Sequence, residues 1–177
     1  MIVLYMKIRA LRKSDFDEYY RNELAYAAEL EADPTFGIGT YGKRVTRTTA
    51  LKGFSRLIKD AEAGNAIAIG AFDKGGRMIG IAEVEGNRGL FEAPHIGEIG
   101  VSVAVDRRGR GVGGALLKEL IKRGSRYEIL TGGLFSANKA SKRLMEKFGF
   151  KRWGRGPRFA KRGNLYLDCE YYYLRLR

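Results

Sequence analysis

Apolar and polar positions along the chain alternate between two periods, and the changes of period mark its elements. Residues 2–9 open with β-branched and apolar side chains and predict a first strand. Ser14-Asp15-Phe16-Asp17 has the form of a capping box, and Phe16, Tyr20, Leu24 and Ala27 then recur at helical spacing to about Leu30. Pro34 to Gly42 breaks that pattern. A second helix is expected near 48–62, with Leu51, Phe54, Ile58 and Ala61 on one face and Gly64-Asn65 as its stop. The run from Ala66 to Phe72 is apolar throughout, as in a strand covered on both faces. Asp73-Lys74-Gly75-Gly76 supplies turn chemistry, and Met78 to Val84 reads as the returning strand.

Over 96–105 the period is two: Ile99, Val101 and Val103 share one face, Glu98, Gly100 and Ser102 the other. An amphipathic helix near 111–123, a strand over 127–135, a helix ending at Gly149 and strands near 150–161 and 164–176 complete the chain. The order β-α-α-β-β-β-α-β-α-β-β predicts an α+β fold, a mixed sheet of about seven strands with helices on both faces. No repeat, low-complexity tract or linker interrupts residues 1–177, so one domain is expected.

Charge and cysteine usage narrow the setting. The 33 Lys and Arg against 20 Asp and Glu leave a formal net charge of +13, which favours an anionic ligand: a nucleotide-like cofactor, a nucleic acid or an acidic surface. A single cysteine, Cys169, excludes an internal disulfide and a Cys-rich zinc site; no metal site is expected, and a reducing, cytoplasmic compartment is the simple reading. No apolar run approaches a membrane span, and the opening segment is too short for a signal peptide, so no membrane partner is expected.

The most informative stretch runs from Val101 to Leu117, where a strand enters a glycine-rich turn that opens a helix. Glycines let a backbone approach a ligand closely, and a helix start presents unpaired N–H groups and the positive end of its dipole to a pyrophosphate. Arg108 and Arg110 add donors that match phosphate oxygens. The segment is neither a Walker A loop nor a Rossmann fingerprint. It resembles the acetyl-CoA motif of the GNAT N-acetyltransferases, Gln/Arg-x-x-Gly-x-Gly/Ala, with Arg108, Gly111 and Gly113 at the defined positions. Asn138 to Phe150 is similar to that family's Asn-x-x-Ala-x-x-Leu-Tyr-x-x-x-Gly-Phe, with Ala140 one place early and Met145 where the tyrosine stands. Gly97-Glu98-Ile99-Gly100-Val101-Ser102-Val103 resembles a segment of the branch that acetylates protein N-termini and small amines.

The resemblance implies acetyl-CoA as cosubstrate, an amine acceptor, and direct transfer in a ternary complex. It implies that Arg108, Gly109, Arg110, Gly111, Val112, Gly113 and Gly114 hold the pyrophosphate, and that the Val101, Ser102 and Val103 backbone lines the pantetheine with one N–H polarising the thioester carbonyl. Asn138 would bond the pantetheine; on spacing alone it reads equally as a helix cap. Glu98, on a strand just before the turn, is the candidate general base, weighed against a plain surface carboxylate. His95 reads as a loop histidine and Cys169 as a packed thiol. Glu29, Glu31 and Asp33 could face a cationic amine or form a solvated helix end. Met145 cannot protonate a departing thiolate, which leaves that proton to solvent or another group.

Two other readings compete. From Lys147 to Leu167 there are seven Lys/Arg and no acid, interleaved with Trp153, Phe159 and Tyr166, a composition suited to RNA or a ribosomal surface as well as to a solvated hairpin. The chain could also be a CoA-binding domain without catalysis. A homodimer through the last strands is a further possibility.

Overall fold

The computed structural model describes residues 5–35, 37, 44–86 and 93–177. In chain order these form β1 (Lys7–Ala10), α1 (Phe16–Ala32), α2 (Arg47–Glu62), β2 (Ala66–Phe72), β3 (Met78–Gly86), β4 (Ile96–Val103), α3 (Val112–Arg123), β5 (Ile129–Phe135), α4 (Lys139–Lys147), β6 (Lys151–Arg162) and β7 (Leu165–Arg175). The order is the expected one. Residues 2–4 of the first predicted strand lie outside the described residues, as does most of the expected break from Pro34 to Gly42.

The strands form one mixed sheet in the order β1-β2-β3-β4-β5-β7-β6. Every neighbouring pair is antiparallel except β4 and β5. Parallel strands need a crossover, and α3 supplies it, which places this helix on one face of the sheet. There Leu116, Leu117 and Leu120 of α3 and Met145 of α4 join Ile69, Val84, Leu130 and Tyr172 in the larger core. On the opposite face Phe54, Leu57 and Ile58 of α2 and Phe16 of α1 pack on Ala66, Ala68, Met78 and Ile81. The all-apolar Ala66–Phe72 run is explained by this double cover.

Three local expectations are corrected. Ser14 does not cap α1: it lies in a 3-10 turn, and the Asp15 carboxylate takes the capping role by accepting the Arg12 N–H at 2.8 Å while Arg9 holds it at 2.7 Å. The true capping pair belongs to α2, where Thr46 accepts from Thr49 N and Thr49 accepts from Thr46 N. Leu51 and Leu24 share the helical period but not the buried faces; they are 46% and 44% exposed, and Ala50, Asn22 and Leu30 point inward instead. In α1 the period misleads because part of its inner face is polar and borders the opening described next.

Candidate active site

β4 and β5 are paired only at Ile96–Ile129, Gly97–Leu130 and Glu98–Thr131. Beyond Glu98 the two strands part, although both continue, to Val103 and Phe135 respectively. A parallel pair that separates leaves backbone N–H and C=O groups facing each other across a gap without ladder partners, which an extended amide-bearing ligand can fill. Val101, Ser102 and Val103 lie in this half of β4. Gly132 sits at the fork: a Cβ there would lie 3.0 Å from Met145 Cε and 3.1 Å from Ile99 Cγ1. Met145 therefore plugs the apolar floor of the gap rather than facing solvent.

The gap ends at the glycine turn. Gly109 and Gly111 take positive φ, 70° and 84°, and Gly111 is the left-handed N-cap of α3. Side chains there would be strained. Val112 is buried in the core and anchors the helix start, and the Gly111 N-cap makes no side-chain cap hydrogen bond to the first-turn N–H groups. Gly113 and Gly114 have ordinary clearance: a Cβ would lie 3.4 Å from Val103 Cγ2 at the first and 3.7 Å from the Phe148 ring at the second. Arg110 is exposed. Asn138 caps α4, its Oδ1 accepting from Ser141 N at 3.0 Å, which leaves its amide N–H groups for a ligand. The neighbouring Ser136 hydroxyl is buried and has no partner among the described residues. Unpaired strand edges, a helix N-terminus and these two polar groups fit a phosphopantetheine arm ending in a pyrophosphate.

Arg108 is placed differently from the expectation for a phosphate ligand. Its guanidinium forms a bidentate ion pair with Glu29 of α1, Nη2–Oε2 at 2.8 Å, while Nε donates to the Val103 carbonyl at 3.2 Å. Glu29 is thereby engaged with the turn, and Asp33 accepts from Thr35.

The face of the sheet across the gap from α3 carries the titratable groups. Glu98 lies there, exposed, opposite Glu85 in the β3–β4 register. Glu83 pairs with Gly100 in the same register, and a Cβ on Gly100 would come within 2.9 Å of Glu83 Oε1. The carboxyl thus lies over the backbone of the parting strand. Burial pushes it up to about 7, with Glu85 and Glu23 adding repulsion and Arg56 opposing them. Arg56 itself pairs with Glu85 at 3.5 Å. Burial likewise raises Glu23 and the Tyr19 and Tyr26 hydroxyls, and Tyr26 Oη is buried without a partner among the described residues. Tyr19, Glu23 and Tyr26 recur at helical spacing on α1, so one row of that helix walls the acceptor side of the gap.

Sequence reasoning missed Glu83, Glu23 and Tyr26. In a strand reading Ile81-Ala82-Glu83-Val84-Glu85, the acids take the positions that a one-sided sheet gives to solvent. The available signal was Gly100, a glycine in a strand interior, where close approach by a neighbour is the usual reason. Cys169 is buried, with its thiol pushed up by burial, and His95 stands at the start of β4 with its carbonyl accepting from Glu128 N and Ile129 N.

The basic stretch occupies β6, at the sheet edge. Part of its charge is spent internally: Arg155 pairs with Asp168, Arg158 stacks on Tyr166, and the buried Arg162 donates to the Pro34 and Gly37 carbonyls at 2.7 and 2.9 Å. Trp153 and Phe159 pack against Tyr171 while remaining 64% and 58% exposed.

The model of the acetyltransferase (GNAT) family matches residues 49–150, which contain the parting strands, the glycine turn and α4. The chain belongs to the GNAT acetyltransferase family. No curated protein matches it in sequence. Among solved structures, an N-acetyltransferase from Staphylococcus aureus Mu50 superposes with a TM-score of 0.84 at 23% identity, covering 98% of this chain and 99% of that one. A ribosomal-protein-alanine N-acetyltransferase from Brucella melitensis gives 0.81 at 22% identity over 96% and 99%. A GNAT phosphinothricin acetyltransferase from Sinorhizobium meliloti, solved with acetyl-CoA, gives 0.80 at 21% identity over 97% and 88%. At these identities the likeness establishes a GNAT fold along nearly the whole chain. Acetyl-CoA is the family's cosubstrate.

Proposed function

We propose that the protein is an acetyl-CoA-dependent N-acetyltransferase that acetylates a primary amine, on a small molecule or a protein N-terminus, by direct attack in a ternary complex. The observation that carries this reading is Glu83, a carboxyl with no cation partner among the described residues, raised to about 7 and lying over Gly100 where β4 leaves β5. A primary amine is protonated near neutral pH, and a base with a value near 7 is matched to taking that proton.

Acetyl-CoA, when bound, supplies an activated thioester. The first-turn N–H groups of α3 with the Gly109–Gly111 backbone hold the pyrophosphate, and Asn138 and the 101–103 backbone orient the arm. A backbone N–H of the parted β4 donates to the acetyl carbonyl oxygen. Glu83 accepts the ammonium proton, directly or through one water, which frees the nitrogen lone pair to form the new C–N bond; as the C–S bond breaks, the second nitrogen proton passes to water or to the departing thiolate and the neutral amide is left. Met145 has no proton to give, and a thiol of pKa about 8.5 leaves acceptably as thiolate. Glu98, exposed on the same face, is the alternative acceptor of that proton.

The test is an acetyl-CoA turnover screen across small primary amines, peptides with free N-termini and ribosomal proteins, run on wild type, Glu83→Gln and Glu98→Gln. A lowering of turnover by about 10²–10⁴-fold in Glu83→Gln is expected. Full activity in that variant with loss in Glu98→Gln transfers the role to Glu98, and no CoA binding by the wild type refutes the reading.

A further inference from the structure

We infer that Glu29 is a positioning residue, and that the Arg108 side chain acts as a strap between the cofactor turn and the acceptor wall rather than as a phosphate ligand. This deepens the proposed function and rests on it. Arg108 occupies the first position of the glycine turn, yet its guanidinium bonds to protein groups on both sides of the gap. Nε reaches back to the carbonyl of Val103, the last residue of β4, and the two terminal nitrogens clasp both oxygens of Glu29. A bidentate guanidinium–carboxylate pair fixes direction as well as distance.

What the strap holds is α1. Its inner row runs Tyr19, Glu23, Tyr26, Glu29, a span of about 15 Å at helical rise. The near end is tied to β3, where Glu18 accepts the Met78 N–H at 2.8 Å and Asn22 Nδ2 donates to the Met78 carbonyl at 3.1 Å. The far end is tied to the cofactor turn by Glu29 and Arg108. Between the two ties stand Tyr19 and Glu23, which both interact electrostatically with Glu83, and Tyr26, which feels Arg108, Glu23 and Glu29. The helix that walls the acceptor side is thus pinned at one end beside the catalytic carboxylate and at the other to the turn that binds the cofactor. Order in that turn is thereby transmitted to the acceptor wall. The bonds to Val103 and Glu29 use three of the five guanidinium N–H donors, so the strap is told from a phosphate ligand by what each variant does to CoA affinity and to α1.

The experiment uses the full chain with CoA as probe, in wild type, Glu29→Ala, Glu29→Gln and Arg108→Gln. Gln at 108 keeps a donor for the Val103 carbonyl, and Gln at 29 keeps an acceptor for one guanidinium hydrogen bond. Calorimetry is expected to give CoA Kd values within about threefold of wild type for all three. Hydrogen exchange is expected to show protection of residues 23–32 on CoA binding in wild type, its loss in Glu29→Ala and Arg108→Gln, and partial recovery in Glu29→Gln. With the amine that the turnover screen returns, Glu29→Ala raises the acceptor KM about tenfold with kcat within threefold. A tenfold or greater loss of CoA affinity in Arg108→Gln, with affinity kept or improved in Glu29→Ala, makes Arg108 a phosphate ligand and overturns the inference. Unchanged exchange over 23–32 in Glu29→Ala also overturns it. Without CoA, exchange over 23–32 is expected to be faster in Glu29→Ala and Arg108→Gln than in wild type; this comparison needs no ligand, so failure of wild type to bind CoA refutes the functional reading while the strap is judged on its own result.

Discussion

Replacing Glu83 by glutamine should make the protein more stable and nearly inactive, and the size of the gain follows from the structure. The carboxyl has an ordinary value of 4.5 and stands at about 7 in the folded chain, first because it is buried and then because Glu85 and Glu23 repel its charge. A raised acid binds its proton more tightly folded than unfolded. Its contribution to stability is therefore full below pH 4.5 and is lost as pH rises through about 7. At about 1.4 kcal/mol per unit, the ionised form costs the fold up to about 3 kcal/mol at pH 8. Glutamine keeps the shape and never ionises. Thermal melts should put Glu83→Gln roughly 6–12 °C above wild type at pH 8, since 1 kcal/mol is worth roughly 2–4 °C at this length, with the two converging near pH 4.5. Over the same range kcat/KM of wild type should rise with pH through about 7 as the carboxylate forms, and the limb should vanish in the variant. A variant no more stable than wild type at pH 8, or a gain that does not shrink on acidification, would show that Glu83 is not held in a desolvated, repulsive setting, and the base assignment would fall with it.

Gly111→Val forces a β-branched residue to φ near 84° at the N-cap of α3, and calorimetry should find CoA binding abolished with circular dichroism close to wild type. Gly100→Val should push the Glu83 carboxyl off the β4 backbone, since a Cβ there already meets Oε1 at 2.9 Å; steady-state assays should show turnover lowered at least tenfold with CoA affinity kept. Glu98→Gln, at an exposed position, should keep turnover within a few-fold of wild type, and a loss matching that of Glu83→Gln would count against the assignment. Met145→Phe should leave turnover within a few-fold and Met145→Tyr should equal or exceed wild type; an equal and severe loss in both would mean that the Met145 side chain shapes the fork where it meets Gly132.

The fold was largely legible because the period of the pattern matches the packing. Ile99, Val101 and Val103 alternate against α3 as read, and the double cover of β2 explains its unbroken apolar run. The strand, glycine turn and helix from Val101 to Leu117 were legible because they follow one another in sequence. The acceptor side was not, because its members come from α1 and β3 and meet only in the folded sheet. Glu83 and Glu23 are polar residues in amphipathic elements, and period alone assigns such residues to water. Leu24 failed because its row of α1, with Arg21 and Ala28, faces solvent while Asn22 and Leu30 point inward. Arg108 shows a third limit: its side-chain partner Glu29 lies 79 residues away, where a local motif carries no signal.

The two faces of the sheet divide the chemistry. The α3 face closes mostly over aliphatic side chains and carries Met145, which has no titratable group, at the fork. The opposite face gathers Glu83, Glu85 and Glu98 on neighbouring strands, with Glu23 and two tyrosines above them, in a chain whose net charge is +13. With so many cations present, pairing Glu83 would need only a nearby Lys or Arg; instead Arg56 is turned to Glu85 and Arg108 to Glu29. A desolvated carboxylate with no ion pair among the described residues weakens the fold by the amount worked out above, and natural sequences keep such sites where function uses them. The gap between β4 and β5 lies between the faces, and in the proposed function an anionic cofactor gripped at the α3 N-terminus would present its thioester to the acidic side, where an ammonium would be attracted and deprotonated.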